Sequence, residues 1–447
     1  MPLTGQKDMS VVVGLGKTGL AVARHLHERG LPFVVTDTRS EPPGLAELNA
    51  FAPEAMVSLG SLDGSLLTHA REIIVSPGLD TLRPEFDAPR ALGIPLVGDI
   101  ELFAREAKAP VLAITGSNGK STVTALVGEL LAAAGLKVAV GGNLGTPALE
   151  LLSLPTPDVY VLELSSYQLE TTHSLAPHAA TLLNLSADHL DRYGTMANYL
   201  AAKQRIFACA ANAVVNRDEP AELIPAGYTG PRITFGTSGV ADWTVIDQAG
   251  EPWLARDGHC LLNVSELKIK GRHNIANALA ALALASTMSS RLAPMLDALK
   301  AFPGLPHRCQ FVAEHGGVGY YDDSKGTNVG ASLAAIAGLG EAVSGKLVLI
   351  LGGDGKGQDF APLTPALATA ARAVVLIGRD AQAIAPCVPQ GVAVERAADM
   401  PAAVAACARF AAPGDAVLLS PACASLDMFR NYEHRGQVFA DAVRALS

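Results

Sequence analysis

The chain has 447 residues, 49% of them apolar and 5% aromatic, with a formal net charge of −9. That length exceeds one ordinary core and sets about three domains, and the balance of small aliphatic residues suits helices alternating with parallel strands. No long basic tract offers a nucleic-acid footprint; six scattered cysteines without a Cys-x-x-Cys pair fit a reducing cytoplasm; and a polar Met1 to Ser10 with no apolar run of about 18 residues predicts neither leader nor membrane span.

Ser10 to Gly19 reads as strand, glycine turn and helix, and Phe33 to Asp37 as a second strand ending in an acid. The Gly14-x-Gly16-x-x-Gly19 spacing, with Asp37 18 residues beyond Gly19, is a good dinucleotide fingerprint, although such turns also hold other diphosphate nucleotides. Ile73 to Gly78 supplies a further strand and tight turn at the same sheet edge. This first region closes near Gly93 to Gly98.

The second region runs from about Asp99 to Pro303. Val111 to Leu131 is strand, glycine-rich turn and helix, with Val123, Leu126, Val127, Leu130 and Leu131 at helical spacing and Gly135 as the stop. Thr115-Gly116-Ser117-Asn118-Gly119-Lys120-Ser121 is a shortened phosphate loop, since Ile114 stands where the ordinary motif has glycine. Its backbone N–H groups and the helix start favour a nucleoside triphosphate, Lys120 reaches the terminal phosphates, and the Ser121 hydroxyl suits Mg²⁺. A plain strand-to-helix turn would leave Lys120-Ser121-Thr122 unexplained. Asp158 to Leu164 and Ala179 to Leu185 are strand-length apolar runs that deliver polar residues to the sheet's carboxyl edge. Glu163, embedded in one of them, is expensive to bury unpaired and reads as a metal ligand. His189 alone reads as structural, and Lys203, on a helix expected over Asn198 to Cys209, as a surface lysine. Trp243 to Cys260 looks like a β-hairpin outgrowth rather than core. Arg272 to Leu284 is a helix with a polar start.

After Phe302 to Pro306, strands at Lys346 to Asp354, Ala373 to Gly378 and Asp415 to Ser420 alternate with alanine-rich helices such as Ala361 to Arg372. The fold class is therefore α/β in three domains: a Rossmann-like N-terminal domain at 1–98, a central P-loop ATPase-like domain with a parallel sheet at 99–303, and a C-terminal Rossmann-like domain at 304–447. Such a chain suits an enzyme that holds several substrates between domains.

Ten motifs in order along the chain resemble the Mur ligase family: Thr115 to Thr122, Gly141 to Gly145, Leu162 to Glu170, Asn184 to Asp191, Ala202-Lys203, Gly271 to Asn274, Gly304 to Arg308, Asp323 to Asn328, Gly352 to Lys356 and Ser420 to Asp427. The resemblance implies an ATP-dependent amide-bond ligase of peptidoglycan precursor synthesis, a monomer working with two Mg²⁺ ions. The carboxylate of UDP-N-acetylmuramoyl-L-alanine would take the γ-phosphoryl group as an acyl phosphate, and D-glutamate would displace phosphate from it.

By residue-wise matching, Gly116, Ser117, Asn118, Gly119, Lys120, Ser121 and Thr122 would hold ATP, with Asn274 and Asn277 at the adenine, Arg308 at the γ-phosphate and Asp323 at the ribose. Arg308 has its own rationale, since a planar fork suits phosphate. Ser121 and Glu163 would serve one Mg²⁺, and His189 with a carbamate on Lys203, formed from CO₂, the second. Lys120, His189 and Lys203 would be catalytic. Gly14, Leu15, Gly16, Lys17, Thr18, Asp37, Thr38, Ser76 and Gly78 would hold the uridine diphosphate and Asn143 the N-acetylmuramoyl part. Lys356, Thr327, Ser425 and Leu426 would meet the D-glutamate carboxylates, with Lys325 nearby and Tyr432 at the wall.

Three departures from the family pattern stand out. Ser117 replaces the usual threonine of the phosphate loop and preserves the hydroxyl. Lys17 lies inside the first glycine turn, where it either contacts phosphate or points to solvent. Gly326 adds backbone freedom beside Lys325. Three other readings stay open: a nicotinamide dehydrogenase, which leaves the phosphate loop unused; a P-loop switch, which gives Glu163, His189 and Lys203 no joint purpose; and a folylpolyglutamate synthetase, which would not need the first domain.

Overall fold

Runs of valine, isoleucine and leucine become the buried strands of three separate sheets in a computed structural model that describes residues 9–446. Most of the Met1 to Ser10 segment read above for a leader lies outside those residues. The first sheet is wholly parallel, in the order β3-β2-β1-β4-β5, with β1 Ser10–Val13, β2 Phe33–Asp37, β3 Met56–Leu59, β4 Glu72–Val75 and β5 Leu96–Val97. Chain order reverses between β1 and β4, which opens a crevice at their carboxyl ends. The turn after β1 fills it.

Glycine is required in that turn for a stated reason. A Cβ on Gly19 would lie 1.7 Å from the Gly14 carbonyl oxygen, so the helix Lys17–Glu28 seats on its own turn only without a side chain there. The obstacle is backbone and cannot swing aside. Gly19→Ala is expected to destabilise the first unit by about 2–4 kcal/mol, seen as a lowered first transition in chemical unfolding, and an unchanged transition would show that the turn relaxes freely.

The second sheet has nine strands in the order β14-β13-β12-β11-β10-β9-β6-β8-β7: β6 Val111–Thr115, β7 Val138–Gly142, β8 Val159–Glu163, β9 Ala179–Leu182, β10 Ala213–Asn216, β11 Arg232–Phe235, β12 Trp243–Gln248, β13 Glu251–Arg256 and β14 His259–Asn263. Strands β6 to β12 pair in parallel, and β13 and β14 add an antiparallel edge. The expectation of an outgrowth at Trp243 to Cys260 is corrected here. Trp243 is 1% exposed and packs with Leu254 and Leu262 under the helix Arg272–Ser286, so these strands lengthen the central sheet and close its core. That helix buries every residue from Asn277 to Ala285, which explains why it shows no polar face after its first turn. The helix expected over Asn198 to Cys209 spans Met196–Gln204 and passes into a short 3₁₀ turn at Arg205–Phe207.

The third sheet runs β15-β16-β20-β17-β18-β19, comprising β15 Gln310–His315, β16 Val318–Asp322, β17 Leu347–Gly352, β18 Ala371–Ile377, β19 Ala393–Arg396 and β20 Ala416–Leu419, parallel except for β15. The helix expected to reach Arg372 ends at Ala370, and Arg372 belongs to β18.

The three units are joined by different forces. One apolar cluster continues from Val12, Val35 and Ile74 through Ile100 and Phe103 to Val111, Tyr160 and Leu162, so the first two sheets share a core. The clusters on the third sheet draw only on residues from Cys309 onward. Polar contacts, described next, tie this unit to the second, as in interfaces that permit relative motion.

Candidate active site

Strand β6 delivers the phosphate loop. Gly116 at φ +154° and Gly119 at φ +81° bend it, and the helix Lys120–Ala133 begins without a side-chain cap, leaving its first N–H groups open to an anion. The segment after β9 splints the loop: Asn184 Oδ1 accepts from the Asn118 N–H at 2.8 Å, Asn184 Nδ2 donates to the Asn118 carbonyl at 3.0 Å, and Ser117 Oγ donates to the Ser186 carbonyl at 3.1 Å. A Cβ on Gly119 would sit 2.5 Å from Asn277 Oδ1, which presses Asn277 against the loop. Asn277 Nδ2 donates to Asn274 Oδ1 at 3.1 Å, so these two asparagines form one polar platform.

Two lysines converge on one carbonyl. Lys120 Nζ donates to the Gly116 and Ser117 carbonyls at 2.8 and 2.9 Å, and Lys203 Nζ donates to the Gly116 carbonyl at 2.8 Å. Lys203 is 1% exposed and lies 4.6 Å above the Tyr199 ring, which overturns its reading as a surface lysine. Burial, reinforced by the charge of Lys120, pulls the Lys203 ammonium well below its ordinary range. Burial likewise lowers Lys120, with Glu163 opposing.

Glu163 ends β8 at 2% exposure. Its Oε1 accepts from Asn143 Nδ2 at 2.6 Å, and its Oε2 is buried without a hydrogen-bond partner. Burial pushes this carboxyl up, but its neighbours, led by the charge of Lys120 and joined by Asn143 and Arg308, together hold it below its ordinary range. Beside it, Ser121 Oγ accepts from Arg308 Nη2 at 2.9 Å, a bond that crosses from the third unit to the phosphate loop.

His189 occupies the left-handed region at φ +57° and starts a one-turn helix. The Tyr167 hydroxyl lies 2.7 Å from its Nδ1, and burial, against the pull of Asp188, lowers the imidazole to about 4, so the ring is neutral at physiological pH. Asp188 is a site residue that motif reading passed over although it precedes His189. It accepts from Lys356 Nζ at 2.5 Å and from Asn328 Nδ2 at 3.1 Å, while Asn328 also donates to Asn118 Oδ1 at 3.2 Å. Lys356 thus reaches the second unit.

Backbone strain gathers at this junction. Among the described residues seven non-glycine residues have positive φ; Ala249 and Asp257 lie in hairpin turns, whereas His189, His307, Cys309, Lys356 and Ala422 border the cleft or its loops. Asp323 accepts from Ser420 Oγ at 2.6 Å and from the Cys309 N–H at 3.2 Å, and burial raises its carboxyl to about 7 against Ser420 and Arg308. Gly326 proves tight rather than free, because a Cβ there would lie 2.7 Å from Asp323 Oδ2 and 2.8 Å from Ser420 Oγ. Lys325 sits 3.6 Å from the centre of the Tyr432 ring, and burial brings its ammonium down to about 8.

Arg435 was not singled out from the sequence, and it lies fully buried with no carboxylate partner. Its guanidinium donates to Ser324 Oγ at 2.9 Å, the Ser324 carbonyl at 2.8 Å and the Cys423 carbonyl at 3.0 Å, tying the loop after β16 to the loop after β20 from the helix Tyr432–Arg444.

A cavity of about 690 Å³ joins these parts to the first unit. Gly14, Gly16, Lys17, Thr18, Asp37, Thr38, Ser76 and Gly78 line one side, Asn143, Ser121 and Glu163 another, and Lys325 and Tyr432 a third. Leu15 is buried, and its N–H donates to Asp37 Oδ2 at 2.6 Å; despite burial, that bond and the fork from Arg39 hold the Asp37 carboxyl at about 2. Lys17 lines this cavity, and its Nζ donates across to the Gly145 carbonyl at 2.6 Å. Thr327, Lys356, Ser425 and Leu426 are not among the cavity's lining residues: Thr327 caps back onto the Lys325 carbonyl at 2.8 Å, Ser425 is buried, and Leu426 is exposed.

Comparison with known proteins agrees along the whole chain. The family model for the Mur ligase MurD-like N-terminal domain matches residues 8–98, that for the Mur ligase middle domain residues 114–285, and that for the Mur ligase glutamate ligase domain residues 307–423. A protein of Pseudomonas aeruginosa named UDP-N-acetylmuramoylalanine--D-glutamate ligase is 54% identical with 100% of both chains covered, and one of the same name from Nitrosococcus oceani is 51% identical over 98% of this chain and 96% of its own. Two solved structures share the fold: UDP-N-acetylmuramate-alanine ligase of Thermotoga maritima, at 19% identity, TM-score 0.62 and coverage of 98% and 99%, and MurF of Acinetobacter baumannii, at 18%, 0.64 and 97% and 90%.

Proposed function

The chain belongs to the Mur ligases, and from that premise we propose that it is the ATP-dependent ligase joining UDP-N-acetylmuramoyl-L-alanine to D-glutamate in peptidoglycan precursor synthesis. The observation that carries this reading is one cleft in which Lys120, Ser121, Arg308 and Glu163 meet, continuous with a cavity reaching the glycine turn at Gly14. Neither a dehydrogenase nor a switch protein needs that continuity. The likeness to relatives over the full chain, first domain included, supports the nucleotide sugar over a folate.

In the reaction, a carboxylate oxygen of the nucleotide sugar forms a bond to the γ-phosphorus as the bond to ADP breaks. The amino nitrogen of D-glutamate then adds to the acyl carbon, loses a proton, and phosphate leaves from the tetrahedral intermediate. Negative charge accumulates throughout, so the residues' task is neutralisation and alignment. Lys120 follows the terminal phosphates, Arg308 offers a fork to the γ-phosphoryl oxygens, and the helix start at Lys120 orients the remainder. Gly14 to Thr18, Asp37, Thr38, Ser76 and Gly78 seat the uridine diphosphate, Asn143 the sugar acid, and Asn274 and Asn277 the adenine. We assign Asp323 to the ribose, and Lys356, Thr327, Ser425, Leu426, Lys325 and Tyr432 to D-glutamate.

The residues fit Mg²⁺. Glu163 Oε2 is a buried carboxylate oxygen with no partner, adjacent to a hydroxyl at Ser121, and hard cations take such oxygens. Among the described residues no three His, Cys, Asp or Glu side chains form a cage, which suits an ion that keeps water and phosphate oxygens as ligands. Ser121 and Glu163 would hold one ion, and His189 with a Lys203 carbamate the second. When bound, Mg²⁺ supplies positive charge at the phosphoryl oxygens. Burial of Lys203 favours the neutral amine that CO₂ requires.

Three domains at 1–98, 99–303 and 304–447 go with this reading. We place the enzyme in the cytoplasm, where a reducing environment suits its six free thiols, and take it to work as a monomer. No helix among the described residues is long and apolar enough to cross a membrane. The test is phosphate release from ATP with Mg²⁺ and UDP-N-acetylmuramoyl-L-alanine. Release should require D-glutamate and fail with L-glutamate, L-lysine or meso-diaminopimelate; release that ignores the nucleotide sugar, or follows a folate instead, would overturn the proposal.

A further inference from the structure

We infer that Asp99 binds the sugar portion of the nucleotide-sugar substrate, accepting a hydrogen bond from one of its hydroxyl or amide N–H groups through Oδ1. The inference rests on the functional reading above and adds a residue that reading does not use.

Asp99 is 2% exposed, and its Oδ1 is buried with no hydrogen-bond partner. It nevertheless lines the 690 Å³ cavity together with Gln168. A buried carboxylate oxygen left unpaired is unfavourable, and native structures retain such a group where a ligand or function uses it. An acid in the first turn of the helix Asp99–Glu106 gains from the helix dipole, but that gain is smaller than the penalty of a carboxylate oxygen without a partner.

The side chain is held in place from two directions. The Gly98 N–H donates to the Thr171 carbonyl at 3.1 Å, and a Cβ on Gly98 would meet Thr171 Oγ1 at 2.4 Å, so the backbone just before Asp99 is clamped against the helix Ser166–Glu170. Asp99 Oδ2 accepts from Gln168 Nε2 at 3.2 Å. The Gln168 amide cannot turn over, because its Oε1 accepts from the Ser165 N–H and hydroxyl in a capping box, which leaves its N–H₂ facing Asp99. One oxygen is therefore committed and the other fixed.

Position identifies the ligand group. Asp99 begins the segment that links the first sheet, which carries Gly14 and Asp37, to the second, which carries Asn143 and Glu163. A ligand with its diphosphate at the former and its carboxylate at the latter passes this link with its sugar. Burial lifts the Asp99 carboxyl to about 6, opposed by Gln168, and a donor on the sugar would offset that cost.

The test uses Asp99→Asn and Asp99→Ala in the full chain. In Asp99→Asn the amide oxygen must face Gln168, so an N–H₂ meets the sugar donor. The KM for UDP-N-acetylmuramoyl-L-alanine and its Kd by calorimetry without ATP should rise about tenfold, with kcat and the KM values for ATP and D-glutamate within about twofold. The melting temperature without substrate should hold or rise, since an unpaired buried charge is gone. Analogues lacking one sugar hydroxyl or carrying an N-methylated acetamide identify the donor: the right one weakens wild-type binding but not further that of Asp99→Ala. Unchanged Kd in both variants, or variants that melt lower or fail to fold while retaining substrate affinity in whatever folds, would make Asp99 structural and overturn the inference. Wild-type protein that does not bind the nucleotide sugar would instead remove the functional reading.

Discussion

Lys120→Ala is expected to lower ligation at least about a hundredfold, the scale of removing one positioned electrostatic stabiliser, while the protein stays folded. The two parts of the expectation have separate grounds. Lys120 Nζ contacts the Gly116 and Ser117 carbonyls of its own loop and supports no apolar cluster, so truncation opens no cavity in the core. The loop keeps its splint from Asn184 and Ser186. Near-normal turnover by a folded Lys120→Ala protein would remove the phosphate-loop assignment.

Lys203→Arg is expected to abolish ligation to a similar extent, at least about a hundredfold, although it conserves charge. A lysine that merely neutralised its surroundings could be replaced by arginine, which would still lie over Tyr199 and donate to the Gly116 carbonyl. A lysine that becomes a carbamate cannot, because the guanidinium never offers the neutral nitrogen that attacks CO₂. Because arginine is bulkier at a site 1% exposed, a second measurement accompanies the variant. Wild-type activity should fall when dissolved CO₂ is stripped and return with bicarbonate, and native mass spectrometry should show one added CO₂ that disappears in Lys203→Arg. Full activity of Lys203→Arg, or indifference of the wild type to CO₂, would eliminate the carbamate.

Features of this fold carried by short segments were legible in the sequence. Glycine turns announce themselves because only glycine meets the local steric demand, as Gly19 shows, and the strands at Val111, Val159 and Leu347 are continuous apolar runs because both faces of each parallel sheet are covered. Properties set by packing between distant segments were not legible. Lys203 looks like any helical lysine until the helix Met196–Gln204 docks against the phosphate loop. Trp243 sits among turn residues, and the helix Arg272–Ser286 that buries it lies farther along the chain. Gly326 reads as freedom and acts as clearance for Asp323 and Ser420, which are 97 residues apart. The unpaired oxygen of Asp99 has no counterpart in any motif.

Arg435 also bears on the order in which the chain leaves the ribosome. The strands of the third sheet end at Leu419, yet the loops at Ser324 and at Cys423 to Ala424 are tied together by a guanidinium that emerges only with the helix Tyr432–Arg444. A nascent chain halted before Tyr432 possesses every strand and both loops but lacks the tie between them. The pocket assigned above to D-glutamate is therefore tied together only once that helix has emerged, and a product truncated before Tyr432 carries the loops at Ser324 and Cys423 without the bonds that join them.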